Sequence, residues 1–295
     1  MKPKLNLSEG ELAEVKMAED IAQTLDQNCE FEGLPFMDEM WQYCGRHFKV
    51  LKRVRRMTVE GVGVRYIRNT VILEGAECSG EAHSQCKRTC PILWKEAWLR
   101  RPNVRLNSQG TDREPIKAPS GHKCSNTSAL RCQSASLVNA SVSLPIWDPR
   151  RYKDDLKKGK IRPLLLSLSF LAQRLVARKN RIGLSTKRRR TPSVSLDLQP
   201  GELVEVRSVP EILVTLDSSG KNRGLEFTLE MQKYCGRRFR VMKRLDRMII
   251  EKTGEMRQIS NTVFLDGVTC DGESHGGCSR RCYCLWREIW LRRAG

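Results

Sequence analysis

Cysteine and histidine residues recur in this sequence at spacings that suit a metal centre. The pattern C-x7-C-x3-C, with a histidine inside the first gap and another cysteine about 34 residues upstream, occurs twice. Zn²⁺ prefers four tetrahedral ligands drawn from Cys and His, and a site with four protein ligands is structural because it leaves no position for substrate water. The predicted ligands are Cys44, Cys78, Cys86 and Cys90 in one occurrence and Cys235, Cys270, Cys278 and Cys282 in the other, with His83 and His275 as substitutes.

The loop between Cys270 and Cys278 contains three glycines, which let a backbone fold around a small centre. We therefore expect about two zinc ions per chain, each becoming part of a core because its ligands gather only on folding. An iron-sulfur cluster and reduced, buried thiols remain open as alternatives. The cysteines without a counterpart in the other occurrence are interpreted as incidental; they are Cys29, Cys124, Cys132 and Cys284.

A second matched pattern places an acid between two tryptophans, as Glu96 in one occurrence and Glu288 in the other. In a strand this glutamate would share a face with both indoles and need a cationic partner, for which Arg46 and Arg237 are candidates. In a helix it would face water, and we favour that interpretation. Two further matched acids, Glu39 and Glu230, are expected to support the fold.

Known catalytic motifs are absent from the sequence. It contains no phosphate-binding loop ending in Lys and Ser or Thr, no G-x-S-x-G elbow and no H-E-x-x-H helix. The chain is therefore predicted not to be an enzyme, and no small-molecule substrate is indicated.

These patterns belong to a long internal repeat. LNLSEGELAEVK at Leu5 matches LDLQPGELVEVR at Leu196, and the segment ending in YCGRHFKVLKR matches YCGRRFRVMKR 191 residues later. NTVILEGAEC at Asn69 matches NTVFLDGVTC at Asn261, and LWKEAWLRR at Leu93 matches LWREIWLRR at Leu285. Self-similarity of this length indicates a duplicated domain. We predict a first domain at 1–101, a linker at 102–195 and a second domain at 196–295.

Hydrophobic periodicity predicts that each domain is mainly β with short helices. Val204 and Val206 alternate with polar residues, as do Phe239 and Val241, which is the period of half-buried strands. The Gly-containing stretch at 251–255 predicts a hairpin turn. Several short, sharply turned strands in under 100 residues favour a small antiparallel barrel of the Src-homology-3-like class.

The GELVEVRS opening, the YCGRRFRV strand, the DGVTCDG loop and the WREIWLRR ending resemble those of a bacterial family of tandem, cysteine-containing small-barrel proteins. The resemblance covers both copies and part of the linker, around IWDPRRY at Ile146. It implies the architecture and carries over no activity.

Positive charge is concentrated in the linker. Of the net charge of +19, the stretch from Pro102 to Ser195 holds 20 Lys and Arg residues against 5 Asp and Glu. An amphipathic helix is predicted at about 163–181, where Pro163 suits the first turn and leucines form an apolar stripe. It could dock on the domains, lie on an anionic membrane surface or contact nucleic acid. The predicted anion-binding residues are Arg178, Lys179, Arg181, Lys187, Arg188, Arg189 and Arg190.

No signal peptide or bilayer-spanning apolar run is found, so we expect a cytoplasmic protein, either free or peripheral at a membrane. The predicted function is that of a non-enzymatic, metal-stabilised tandem binding or scaffold protein that engages an anionic partner: a protein, a membrane surface or a nucleic acid. Two other functions remain open, a nucleic-acid-binding protein and an iron-sulfur electron-transfer or enzyme-accessory protein.

Overall fold

The computed structural model describes residues 5–102, 132–152 and 191–294. In this part of the chain the structure is mainly β, with antiparallel sheets and short helices, as the sequence predicts. The chain divides into two compact units. Unit 1 comprises the described residues of Met1–Ser143 together with Arg247–Gln258 and Ser279–Cys282, and unit 2 comprises those of Leu144–Asp246, Ile259–Cys278 and Tyr283–Gly295.

The strands of the described residues are short apart from one long hairpin. In chain order they are β1 (Leu12–Val15), β2 (Glu30–Phe31), β3 (Leu34–Pro35), β4 (His47–Val59), β5 (Gly63–Glu77), β6 (Pro91–Lys95), β7 (Leu99–Arg100), β8 (Val142–Ser143), β9 (Leu203–Val206), β10 (Lys221–Asn222), β11 (Leu225–Glu226), β12 (Arg238–Arg244), β13 (Arg247–Ile249), β14 (Met256–Gln258), β15 (Thr262–Leu265), β16 (Trp286–Arg287) and β17 (Leu291–Arg293).

The helices are one or two turns long. The α-helices are α1 (Ala18–Ala22), α2 (Gln133–Ser136) and α3 (Val209–Leu213). The 3₁₀ helices are Asp38–Tyr43, Glu81–His83, Glu96–Trp98, Pro149–Arg151, Leu229–Tyr234, Glu273–His275 and Glu288–Trp290.

The same strand order occurs in the main sheet of each unit. It is β6-β5-β4-β1-β7 in unit 1, with β8 pairing with β5, and β16-β15-β12-β9-β17 in unit 2. Corresponding strands come from corresponding parts of the sequence repeat, so the duplication predicted from sequence has a matching topology. Each order is a path with two free ends, and among the described residues no closed barrel is found, so the predicted Src-homology-3-like barrels are not confirmed.

The core of unit 2 forms where one face of each strand carries apolar side chains. Val204 and Val206 are fully buried, and they pack in one cluster with Trp286 and Trp290. The two indoles meet edge to face, with ring centroids 6.5 Å apart, a geometry that adds to the free energy of burial. The indole N–H of Trp290 donates to Oγ1 of Thr215 at 3.0 Å.

The glutamate between the tryptophans is buried, and the preference for a water-facing acid was wrong. Glu288 is 0% exposed, and its carboxylate accepts hydrogen bonds from the N–H groups of Leu196 and Leu198. Its cationic partner is Arg244 at 3.0 Å rather than Arg237. In unit 1, Arg53 rather than Arg46 binds Glu96, at 2.6 Å. The carboxylate thus ties the segment before the first strand of each sheet to the sheet, and it has a structural role.

Part of the predicted linker packs within unit 1. Gln133 and Leu137 are buried, and β8 pairs with β5. Arg65 of β5 donates to the carbonyl oxygens of Val138 and Ser141, at 2.9 and 2.6 Å. Residues 132–143 are therefore held to the first copy by apolar contacts and hydrogen bonds that the mixed composition of this stretch did not predict.

Two short segments of the second copy also belong to unit 1, and they bring a buried carboxylate with them. Glu251 is 1% exposed and lies in the turn between β13 and β14. It binds Arg280 at 2.6 Å and Arg88 at 3.0 Å, and it accepts the backbone N–H of Glu60 at 2.9 Å. Paired in this way, the charge can remain buried.

The helix predicted at 163–181 lies outside the described residues. Within the part of the chain that is described, no helix combines the length and the apolar character needed to cross a bilayer.

Candidate metal centres

Two groups of potential metal ligands form at equivalent positions of the two copies. Each consists of one glutamate, one cysteine and one histidine whose ligand atoms all lie within 4.8 Å of one another. The groups are Glu39, Cys78 and His83 in unit 1 and Glu230, Cys270 and His275 in unit 2. The sequence predicted the cysteine and the histidine of each group, but it assigned Glu39 and Glu230 to fold support. Their matched spacing of 191 residues was the available signal.

Three local elements position the ligands of the first group. Glu39 is in the 3₁₀ helix Asp38–Tyr43, Cys78 directly follows β5, and His83 ends the 3₁₀ helix Glu81–His83. The loop turns back sharply at Gly80, whose φ is +79° and whose carbonyl accepts the N–H of Cys86 at 3.1 Å. A Cβ atom at Gly80 would lie 1.8 Å from the carbonyl oxygen of Cys86, so only glycine fits.

The loop of the second copy is built in the same way. Gly272 has a φ of +84°, and a Cβ atom there would lie 1.9 Å from the carbonyl oxygen of Cys278. The glycine at the head of each loop is therefore required by loop closure, which brings the histidine back towards the cysteine.

The histidine of the first group is buried, and ligand atoms of the group lack hydrogen bonds. His83 is 1% exposed, and within the described residues neither of its ring nitrogens has a hydrogen-bond partner. Oε1 of Glu39 also lacks one and lies 3.9 Å from Nε2 of His83, too far for a hydrogen bond. Burial lowers the pKa of His83, which favours the neutral imidazole that binds metals. Unpartnered buried polar atoms are costly, and a shared cation would satisfy Oε1 of Glu39 and one ring nitrogen of His83.

The thiol of Cys78 lies close to the carboxylate of Glu39. Burial raises the pKa of Cys78, and the charge of Glu39 raises it further. The other carboxylate oxygen of Glu39 accepts the N–H of Ser79 at 2.8 Å, which fixes the carboxylate at the start of the loop. Because both effects disfavour a thiolate, Cys78 needs a neighbouring cation before it can act as a thiolate ligand.

In the second group the carboxylate contacts both partners. Oε1 of Glu230 lies 3.2 Å from Sγ of Cys270 and 3.2 Å from Nε2 of His275. Its Oε2 accepts the N–H of Gly272 at 3.2 Å. The hydrogen bond to Glu230 raises the pKa of His275, whose side chain is 38% exposed. The second group therefore offers the same three ligand types as the first, but its histidine is more exposed to solvent.

The other cysteines predicted as ligands lie outside these two groups. Cys44 and Cys235 follow the 3₁₀ helices that carry Glu39 and Glu230, and each donates its N–H back into its own helix at 3.1 Å. Cys44 is 2% exposed, and burial raises its pKa to about 12. In the described part of the chain, the remote candidate ligand of each loop is thus a glutamate.

Two cysteines interpreted as incidental lie near the centres. Cys132 and Cys90 both add to the raised pKa of Cys78, after burial and Glu39. Cys278 and Cys284 do the same for Cys270, after burial and Glu230. Cys132 and Cys284 had no repeat partner, so the repeat itself could not identify them.

The remaining predicted site residues, the basic cluster from Arg178 to Arg190, lie outside the described residues. No protein-family model matches this chain, and comparison with curated proteins and with solved structures finds no similar protein. The two donor groups and the distribution of charge are therefore the features of this chain that bear on its function.

Proposed function

We propose that this protein is a non-enzymatic tandem binding protein in which each copy is stabilised by one structural zinc ion. The observation that carries the proposal is the repeated group of Glu, Cys and His donors at Glu39, Cys78 and His83 and at Glu230, Cys270 and His275. Two copies that differ at many other positions bring the same three ligand types within 4.8 Å.

The chemistry of the donors favours zinc among the metals considered. Zn²⁺ accepts thiolate, imidazole and carboxylate ligands, whereas iron-sulfur clusters are held mainly by thiolates. In the first copy a cation would also satisfy two buried atoms that lack hydrogen bonds, Oε1 of Glu39 and one ring nitrogen of His83. Binding that exists only in the folded state contributes directly to the free energy of folding.

Metal analysis of the purified full-length protein tests this proposal. We expect about two zinc ions per chain, one fewer in each of the variants His83→Ala and His275→Ala, and none in the double variant. Cys44→Ser is the matched control, because Cys44 is buried beside the same 3₁₀ helix but lies outside the donor group; it should retain both ions.

Three results would contradict the proposal: folded wild-type protein without metal, a zinc content unaffected by the histidine substitutions, or loss of one ion in Cys44→Ser. The last result would restore the four-cysteine ligand set. Visible absorption by anaerobically purified protein would indicate an iron-sulfur cluster instead.

The binding role is proposed from charge and topology. Twenty basic residues between Pro102 and Ser195 supply an anion-binding connector, and we propose that the two copies, which share a strand order, are equivalent small barrels of the Src-homology-3-like class. Full-length protein should sediment with vesicles that contain phosphatidylserine at low salt and lose this binding as salt rises. A variant with Gln at Lys187, Arg188, Arg189 and Arg190 should bind more weakly. Binding to single-stranded RNA but not to vesicles would favour the nucleic-acid function.

A further inference from the structure

Three thiols in unit 1 face one small cavity. Cys78, Cys90 and Cys132 line it together with apolar side chains and the side chain of Arg280. The cavity has a volume of about 10 Å³, which is about the space of one water-sized sphere. All three cysteines are free thiols. Two cysteines of the repeat and one from outside it therefore line the same cavity.

The backbone fixes the three cysteines independently of any ligand. The N–H of Cys78 donates to the carbonyl oxygen of Cys90 at 2.9 Å, where β5 ends and β6 begins. Cys132 precedes α2, whose first residue is the buried Gln133. The Gln133 amide bonds the N–H and carbonyl of Leu93 at 2.8 and 3.0 Å and the carbonyl of Pro35 at 3.1 Å. Cys132 is therefore held firmly against the first copy.

Hydrogen-bond donors point at the sulfur atoms. The hydroxyl of Ser134 donates to Sγ of Cys90 at 3.2 Å. The backbone N–H groups of Ser134 and Ala135 donate to Cys132, although burial outweighs them and raises its pKa to about 11. Donors around sulfur are a regular outer shell of thiolate metal sites, where they stabilise the charge on the ligands.

Charge balance around the cavity also suits thiolates. Arg280 lines the cavity, and Arg88 interacts with the charge of Cys90. Thiolates that share a small buried volume repel one another, and cationic side chains and a bound divalent cation offset that repulsion. Soft sulfur donors select thiophilic cations such as Zn²⁺ over hard cations such as Mg²⁺ or Ca²⁺.

We infer that Cys132 is the fourth ligand, as a second thiolate, of the ion that Glu39, Cys78 and His83 hold, so that the centre of the first copy fastens residues 132–143 to the repeat. The inference rests on the proposed metal centre, because Cys78 is common to both. Glu39, Cys78 and His83 supply the oxygen, sulfur and nitrogen ligands of the proposed centre, and Glu39 also accepts the N–H of Ser79, which positions the loop. Cys132 has no repeat counterpart, so this fastening is specific to the first copy.

Cobalt substitution of the full-length protein tests the inference, since sulfur-to-cobalt charge-transfer absorption reports thiolate ligands. Cys132→Ser should weaken cobalt binding at one of the two sites more than tenfold and reduce this absorption. Cys132→His, which restores a ligand without sulfur, should recover binding but not the lost absorption. Cys44→Ser should leave both unchanged. Removing metal from the wild type should increase hydrogen exchange of the backbone at residues 132–143.

The outcomes separate this inference from the proposed function. Wild-type protein that binds no ion would contradict the proposed function itself. Wild-type protein that binds two ions, with binding and absorption unchanged in Cys132→Ser, would overturn only the role of Cys132. If Cys132→Ser does not fold, alkylation of wild-type protein decides: metal should protect Cys132, and equal modification with and without metal overturns the inference.

Discussion

Oε1 of Glu230 lies 3.2 Å from Sγ of Cys270, close enough for the thiol to donate a hydrogen bond to the carboxylate. The pairing raises the pKa of the Cys270 thiol beyond the increase that burial causes. A cation at this position would reverse the effect, because it attracts both the thiolate and the carboxylate. Without a cation, the carboxylate of Glu230 therefore disfavours the thiolate of Cys270. With a cation bound, both negative groups would be stabilised.

Replacement of Glu230 by Gln should weaken metal binding at the second centre by at least about 10-fold to 100-fold, the range for loss of an outer-shell partner, because Glu230 is proposed as a direct ligand. Gln keeps the volume but removes the charge that attracts the cation. Competition with a chromophoric chelator measures the affinity of each centre. The exposed Glu255 provides the control: Glu255→Gln should bind both ions as the wild type does. Equal affinities in Glu230→Gln and wild type would assign Glu230 to the fold alone.

Stability in acid should depend on Glu251. Burial raises the pKa of this carboxyl, but the charges of Arg280 and Arg88 lower it more, to about 2 from an ordinary value of 4.5. Since the folded-state pKa is the lower one, the stabilisation is complete above about pH 5 and is lost as the pH falls through 4.5 towards 2. At 1.36 kcal/mol per pKa unit the difference is about 3 kcal/mol.

Urea denaturation of the full-length protein at pH 7 and pH 3 measures this contribution to the stability of unit 1. Glu251→Gln should cost about 3 to 5 kcal/mol at pH 7, because it leaves two arginines poorly paired, and it should make stability less dependent on pH. Glu255→Gln, in the same hairpin, should behave as the wild type. An unchanged pH dependence in Glu251→Gln would show that other carboxylates cause the acid sensitivity.

The parts of the fold that follow from local pattern were predictable from the sequence. Alternation at Val204 and Val206 predicted β9, and the glycine at position 254 predicted the turn between β13 and β14. Repetition of such patterns then predicted equivalent topologies in the two copies. Glu288 was different, because an acid between two tryptophans is compatible with a strand and with a helix, and the helix with a water-facing acid was wrongly favoured. The observed strand, 3₁₀ helix and strand bury it through contacts with Leu196 and Arg244 that are distant in sequence.

The candidate centres were predictable in part for the same reason. Cys78 and His83 are five residues apart, so loop geometry alone could bring them together. Glu39 lies far upstream of both residues in the sequence, so local spacing gives no information about its contact with them. Cys132 lies outside the repeat, in a stretch without hydrophobic periodicity. Its position is set by the buried hydrogen bonds of Gln133, which no pattern in the sequence predicts.

Closure of the first metal loop should depend on the absence of a side chain at Gly80. Ala at this position would place Cβ 1.8 Å from the carbonyl oxygen of Cys86, a contact that backbone atoms cannot relieve without opening the loop. Gly80→Ala should therefore release the ion of the first copy and lower the free energy of unfolding of unit 1. Zinc content and urea denaturation measure the two effects.

Gly75→Ala is the matched control, since Gly75 has a similar left-handed φ of +73° but a Cβ atom added there would meet no other atom within 4 Å. Both substitutions carry the backbone cost of a left-handed alanine, about 1 to 2 kcal/mol. Only Gly80→Ala adds the clash, so the difference between the variants isolates loop closure. Equal stability and equal zinc content in the two variants would mean that the loop can bind its ion without this turn.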